Sequence, residues 1–211
     1  MPIPGIVASA VVPAAAGVDV LMEPFNNLTA WSVFNGSPTI VTGRTGTAAR
    51  LPSNAILDYT IPAVSESDTV TVGFAFQTEN LGSNADLCAF MSDSKSTEHG
   101  RLQVVTSGAV QVTRGASTFL GASAAGLIAI NTWNYIECQI KLHDTAGTVT
   151  VRVNGATVLT LTGQDTKNGG TKTVYDSIRL RYPSASFANL FDDLYITMGA
   201  GAPFKGSITI P

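Results

Sequence analysis

The chain has 211 residues, of which only 13% are charged and 45% hydrophobic, with a formal net charge of −3. Such a length can bury roughly seven-tenths of the unfolded surface, so a full core is within reach. The mild acidity and the lack of any basic cluster argue against a nucleic-acid partner, and no run of eighteen apolar residues is available for a membrane-spanning helix. Sparse charge implies a neutral surface of the kind that packs against neighbours.

Residues 1–24, "MPIPGIVASAVVPAAAGVDVLMEP", imitate a secretory signal in their small and apolar residues, but the first Lys or Arg of the chain is Arg44. Pro2, Pro4, Pro13 and Pro24 prevent a long helix. An extended arm is expected, lying on its own domain or on a neighbouring chain, with Ile3, Ile6, Val7, Val11, Val12 and Val20 as the residues it would bury against a partner subunit.

From Phe25 onward short alternating runs follow one another between turn residues, with no helical stripe, and the pattern is all-β. In "TVTVGFAFQT" Val70, Val72, Phe74 and Phe76 share one face, opposite Thr69, Thr71, Gly73 and Ala75. Cys88 and Cys138 sit inside the apolar runs "ADLCAFMSD" and "YIECQIKL", where buried thiols are expected rather than a disulfide. Residues 121–133 offer the one helical fragment, a single turn. In "WNYIECQIKLHD" Ile136, Cys138, Ile140 and Leu142 alternate with Glu137, Gln139, Lys141 and His143, which describes a half-buried strand. "TVTVRVNGATVLTLTG", Thr148 to Gly163, is a hairpin turning at Asn154-Gly155, since both residues tolerate positive φ. A three-residue loop, pairing Val149 with Leu161, Val151 with Leu159 and Val153 with Thr157, buries the cleaner apolar stripe. "DSIRLRY" then alternates Ile178, Leu180 and Tyr182 with Arg179 and Arg181. So many half-buried strands need two sheets face to face, and residues 25–211 are expected to form one antiparallel β-sandwich behind the arm.

Catalytic chemistry is thinly encoded. Glycoside hydrolysis needs two converging carboxylates, which on a strand would stand two residues apart, and no Glu-x-Asp-x-Glu pattern occurs among the five glutamates and ten aspartates. Asp192 and Asp193 in "LFDDLYIT" are adjacent and should point to opposite faces. Asp192 shares parity with Leu190, Leu194 and Ile196, so it needs a partner on an apolar face; Arg179 or Arg181 is expected to supply it, with Asp193 outside. Calcium is the one metal to weigh, but Asp86, Asp93 and Asp165 form no recognisable ligand loop, and no cofactor is expected. His99 and His143 stand at no metal or triad spacing. A sugar-stacking platform would draw on Trp31, Trp133, Tyr135, Tyr175, Tyr182 and Tyr195, for each of which core packing is the competing role.

Four segments in order, "VTGRTGTAARL", "VTVGFAFQT", "WNYIECQIKLHDTAGTVTVRVNGATVL" and "FDDLYIT", resemble the laminin-G-like branch of the concanavalin A-like lectin/glucanase sandwiches over Val41 to Thr197. With the closing "GAPFKGSITIP" the chain looks most like stand-alone domains encoded among virion structural genes of tailed bacteriophages. The resemblance implies a jelly-roll of two antiparallel sheets, and does not by itself imply activity. The glucanase carboxylate motif and the legume-lectin calcium-and-sugar loop are both missing. The expectation is therefore a non-catalytic virion protein, a capsid decoration or cement protein or a tail-associated one. It would form a homo-oligomer and pack against major capsid or tail proteins. The alternative is a carbohydrate-binding module that attaches to a cell-surface glycan.

Overall fold

The computed structural model describes residues 17–62, 69–169, 175–181 and 187–211. Ile3, Ile6, Val7, Val11 and Val12 of the expected arm lie outside the described residues, as does Tyr182. Within them the alternating runs become strands and the turn residues connect them, with no helix. In chain order the strands are β1 (Val18–Glu23), β2 (Ser32–Asn35), β3 (Thr39–Thr42), β4 (Thr47–Leu51), β5 (Ile56–Thr60), β6 (Thr69–Thr78), β7 (Ala85–Ser92) and β8 (Thr97–Val104). There follow β9 (Val110–Arg114), β10 (Thr118–Ala122), β11 (Asn134–Lys141), β12 (Gly147–Val153), β13 (Ala156–Gln164), β14 (Ser177–Arg181) and β15 (Asn189–Gly199).

Sheet A runs β13-β12-β11-β6-β15-β4-β3, with β1 added to β15, and sheet B runs β10-β9-β8-β7-β14-β5-β2. Their pairings are antiparallel, and the two sheets stack as the sandwich that the sequence pattern predicts, of the jelly-roll kind that the resemblance implies. Between them lies one core. Val70, Val72, Phe74 and Phe76 of β6, with Ile136, Cys138 and Ile140 of β11, meet Leu57, Leu87, Phe90, Leu102, Val112, Ile178 and Leu180 of sheet B. Cys88 and Cys138 are free, buried thiols, and burial pushes Cys138 up to about 12.

The hairpin at Asn154-Gly155 closes more tightly than expected. Val153 pairs with Ala156 across a two-residue turn, with φ of 51° and 82° at Asn154 and Gly155. A register shift after Arg152–Thr157 then inserts Val158 as an extra residue, which restores the Val151–Leu159 and Val149–Leu161 pairs. The tip obeys turn chemistry and the bulge obeys the core.

Two features bear on the expected arm and on the half-buried sheet. Val20 belongs to β1, which pairs with β15 from Val18–Met198 to Glu23–Leu194, and it packs against the chain's own core. The proline-free stretch from Val18 to Glu23 is what lets it join a sheet. The outer face of sheet A is also covered, by residues 200–211. The Ala202 carbonyl accepts from Thr71 Oγ1 at 2.9 Å and Gln139 Nε2 at 2.5 Å. Phe204 lies 4.0 Å from the Arg152 guanidinium, and Ile208 packs on Ala75, Tyr135 and Tyr195. Glu137, on the face expected to be wet, is fully buried: the Tyr195 hydroxyl and the Gly206 amide both donate to its Oε1.

Gly73 makes that arrangement geometrically feasible, because it stands between Glu137 and Tyr195 and a Cβ there would run into the Tyr195 ring. Gly73→Ala should therefore cost about 1–3 kcal/mol, seen as a lower urea midpoint at unchanged m-value. A midpoint equal to wild type would show that the ring is free to move aside.

Candidate functional site

Alternation on sheet B sends Leu57, Ile178, Leu180 and Leu102 inward and Asp58, Arg179, Arg181, Arg101 and Gln103 outward. A register shift between Asp86 and Cys88 turns Leu87 and Cys88 both to the core and leaves Asp86 on the outer face. Cross-strand pairing then aligns Asp58, Arg179, Ala89, Arg101, Thr113 and Phe119 in one row.

The charges in and beside this row are paired with one another. Arg179 grips Asp58 with two parallel bonds, Nε to Oδ1 at 2.7 Å and Nη2 to Oδ2 at 3.0 Å. Arg101 and Arg181 both pair with Asp86 Oδ2, at 3.0 and 2.9 Å, and each also holds one oxygen of Glu98, at 2.6 and 2.8 Å. That closes a ring of two guanidiniums and two carboxylates. Gln103 Nε2 donates to Asp86 Oδ1, and Gln111 Nε2 donates to Gln103 Oε1 at 3.2 Å. Three arginines against three carboxylates leave the network neutral. Arg179 also lies 5.1 Å from the ring centroid of Phe34, which is 68% exposed, and Phe119 at the other margin is 61% exposed.

Arg179 and Arg181 thus have partners other than Asp192, and the expected pairing is corrected. They point out of sheet B, away from β15. The parity argument failed because β15 carries a bulge: Asp192 pairs with Ala75 and Tyr195 with Gly73, so one residue is extra, and Asp193 takes φ 47°. Phe191, not Asp192, faces the core. Both aspartates are fully buried. Asp192 Oδ2 accepts the Arg44 and Thr45 amides at 2.8 and 3.0 Å, and Oδ1 accepts the Asp193 amide at 2.7 Å. Burial pushes the Asp192 carboxyl up, while those amide bonds pull it down. Asp193 Oδ2 holds Arg44 Nη2 at 2.7 Å and Oδ1 accepts the Ile210 amide at 2.7 Å. Arg44 also reaches the Ile208 carbonyl and Ser207 Oγ at 2.9 Å. These groups tie the β3–β4 turn to the C-terminal segment.

His99, in β8, is buried, and its partners lie at Ser92 and Asn168, which no local spacing in the sequence marks. The Asn168 amide donates to Nδ1 at 3.0 Å, so the ring proton resides on Nε2 and points to Ser92 Oγ at 2.7 Å. An imidazole in that tautomer donates to the serine and takes no proton from it. Asp86 is committed to the arginines and Asp165 pairs with Arg114; among the described residues no three His, Cys, Asp or Glu side chains are grouped to hold a metal. Trp31, Tyr135, Tyr175 and Tyr195 are buried and Trp133 is half-buried; among the described residues the exposed rings of the outer sheet B face are Phe34 and Phe119. No sequence pattern marks these two, because their exposure depends on lying at sheet margins. A separate cleft of about 820 Å³, between β1, the end of β15 and Tyr59–Pro62, is walled mainly by Val18, Val20, Ile61 and Met198 and presents few polar groups.

No protein-family model matches the sequence, and no curated protein matches it. Solved structures share its fold. A carbohydrate esterase from Shiga toxin-encoding bacteriophage phi24B is similar at TM-score 0.57 and 16% identity, over 87% of this chain and 99% of that one. Domain 4 of AbnA, a GH43 extracellular arabinanase from Geobacillus stearothermophilus in complex with arabinotriose, is similar at TM-score 0.59 and 17% identity, over 87% and 94%. A botulinum neurotoxin type C structure, whose cell entry depends on interaction with two ganglioside molecules, is similar at TM-score 0.61 and 10% identity, over 90% of this chain but 49% of that one. At these identities the likeness shows the jelly-roll β-sandwich fold and nothing finer.

Two outcomes follow from the buried groups. Asp192→Ala and Asp193→Ala should each lower Tm by roughly 5–15 °C, since each strands buried donors worth about 1–3 kcal/mol apiece; a silent Asp193→Ala would break the account of the Arg44 anchor. Burial holds His99 below its ordinary value, so the unfolded chain takes up the proton first. The stability it contributes is complete above about pH 6.5 and is lost as the pH falls through that value. Tm measured from pH 7.5 down to 5 should fall, and His99→Gln should flatten that slope; an unchanged slope would assign the dependence to other groups.

Proposed function

We propose that this chain is a non-catalytic carbohydrate-binding module that takes its ligand across the outer face of sheet B. The observation that carries the reading is the neutral Asp58–Arg179 and Asp86–Arg101–Glu98–Arg181 network, flanked by the exposed rings of Phe34 and Phe119. Sugars combine apolar C–H faces with dense hydroxyls; the exposed rings offer the first a surface, and Arg181 and Glu98, the most accessible groups of an otherwise nearly buried strip, offer the second polar partners. Locked ion pairs keep the polar groups in place before the ligand arrives, which lowers the ordering cost of binding. Seven strands at 4.8 Å spacing span roughly 29 Å from β2 to β10, enough for several sugar units side by side. Each carboxylate of the strip is held by a guanidinium, so the strip offers no free acid and base converging on one bond. The complex of an arabinanase domain with arabinotriose and the ganglioside dependence of botulinum neurotoxin C support a glycan as the ligand class for this architecture.

A second reading places the module in a virion, as a capsid decoration or tail-associated part. The sparse charge and the likeness to a bacteriophage carbohydrate esterase over 99% of its length support it. The two readings are compatible, since a virion part can present a glycan-binding face.

The test is a glycan array followed by titration calorimetry with the best oligosaccharide. Phe34→Ala and Phe119→Ala should each weaken binding about tenfold, the loss of roughly 1.4 kcal/mol of ring contact, at unchanged Tm. Silence across the array, or full affinity in both variants, would remove sheet B as the binding face.

A further inference from the structure

A sheet edge is a row of unpaired amides and carbonyls, and sandwiches normally blunt such edges with short strands, charges or proline. Edges β2 and β3 have four residues each and β10 has five, while β1 carries Asp19 and Glu23. Strand β13 differs on every count. It is nine residues long, "ATVLTLTGQ", with no Asp, Glu, Lys, Arg or Pro, and among the described strands only β12 pairs with it. Thr157, Thr160 and Thr162 are exposed along it, and Val158, Leu159 and Leu161 are only partly buried. Its two register shifts against β12 fall on either side of Leu159–Leu161, so that central stretch keeps regular pairing. Gly121 of β10 packs directly beneath the side chains of Leu159 and Leu161, which face sheet B and leave the strand's backbone edge to one side.

We infer that β13 pairs with β13 of a second copy, antiparallel about a two-fold axis near Thr160, so that two A sheets become one continuous sheet. Self-pairing sets the criterion. About a two-fold axis each residue near the centre faces itself or its close neighbours, so any charge there would meet its own like. A strand free of charge over its whole length satisfies that condition, and β-branched threonine and valine suit a paired strand. The free edge of β1, with two carboxylates, does not. The occupant is therefore a second copy of this chain rather than an unrelated peptide, and the dimer does not use the outer face of sheet B.

The experiment is sedimentation velocity of the full chain from 1 to 200 µM, on wild type, Thr160→Lys, and Thr39→Lys as a control on the opposite edge of sheet A. Wild type and Thr39→Lys should move as a species of about twice 21.9 kDa at the upper concentrations. Thr160→Lys should raise the dimer dissociation constant at least tenfold at unchanged Tm. A wild type that stays monomeric throughout, or a dimer that Thr160→Lys leaves intact, overturns the inference.

Discussion

Strand β15 changes neighbours halfway along, and much of the molecule depends on how that junction is closed. As far as Phe191 it pairs with β4, and from Leu194 it pairs with β1, while β6 stays beside it throughout. Such a fork leaves backbone donors facing a gap inside the protein, and an unpaired buried donor is costly. Asp192 and Asp193 sit at the fork with an extra residue in the strand, and their four carboxylate oxygens fill the gap. One aspartate caps the amides of the β3–β4 turn; the other fixes Arg44 and, through it, the C-terminal segment. Gly43 belongs to the same device, since a side chain there would approach Asp192 Oδ2 to 2.5 Å.

Strand existence and core membership were legible because period-two alternation is a short-range signal. The β6 face of Val70, Val72, Phe74 and Phe76, and the Arg179 and Arg181 positions on the opposite side from Ile178 and Leu180, follow from it directly. The fork was not legible. Parity counting assumes an uninterrupted strand, and one extra residue at Asp193 moves every later side chain to the other face. The covering of sheet A by residues 200–211 was equally hidden, because it depends on Arg44 meeting Asp193 across 149 positions of sequence. The same distance effect concealed the partners of the charges: Arg179 finds Asp58 121 positions away, and Arg181 finds Glu98 83 positions away.

These contacts divide the two sheets by role. Sheet A spends its outer polar groups on the C-terminal segment, which seals Glu137, Tyr135 and Tyr195 from water. Among the described residues sheet B pairs its outer charges with each other and holds most of them nearly buried, with Arg181 and Glu98 the most accessible, between exposed rings at its margins. A chain with few charges thus concentrates six of them on one strip. That concentration is the physical basis for placing recognition on sheet B and self-association on the uncharged edge of sheet A.

The central claim is that sheet B carries the ligand, and amide chemical-shift mapping addresses it most directly. The isotopically labelled full chain would be titrated with a panel of neutral oligosaccharides. The account predicts shifts clustered on β5, β7, β8 and β14 around Asp58, Arg101 and Arg179, with β6 and residues 200–211 unmoved. Shifts confined to sheet A, or to the cleft beside Met198, would contradict it.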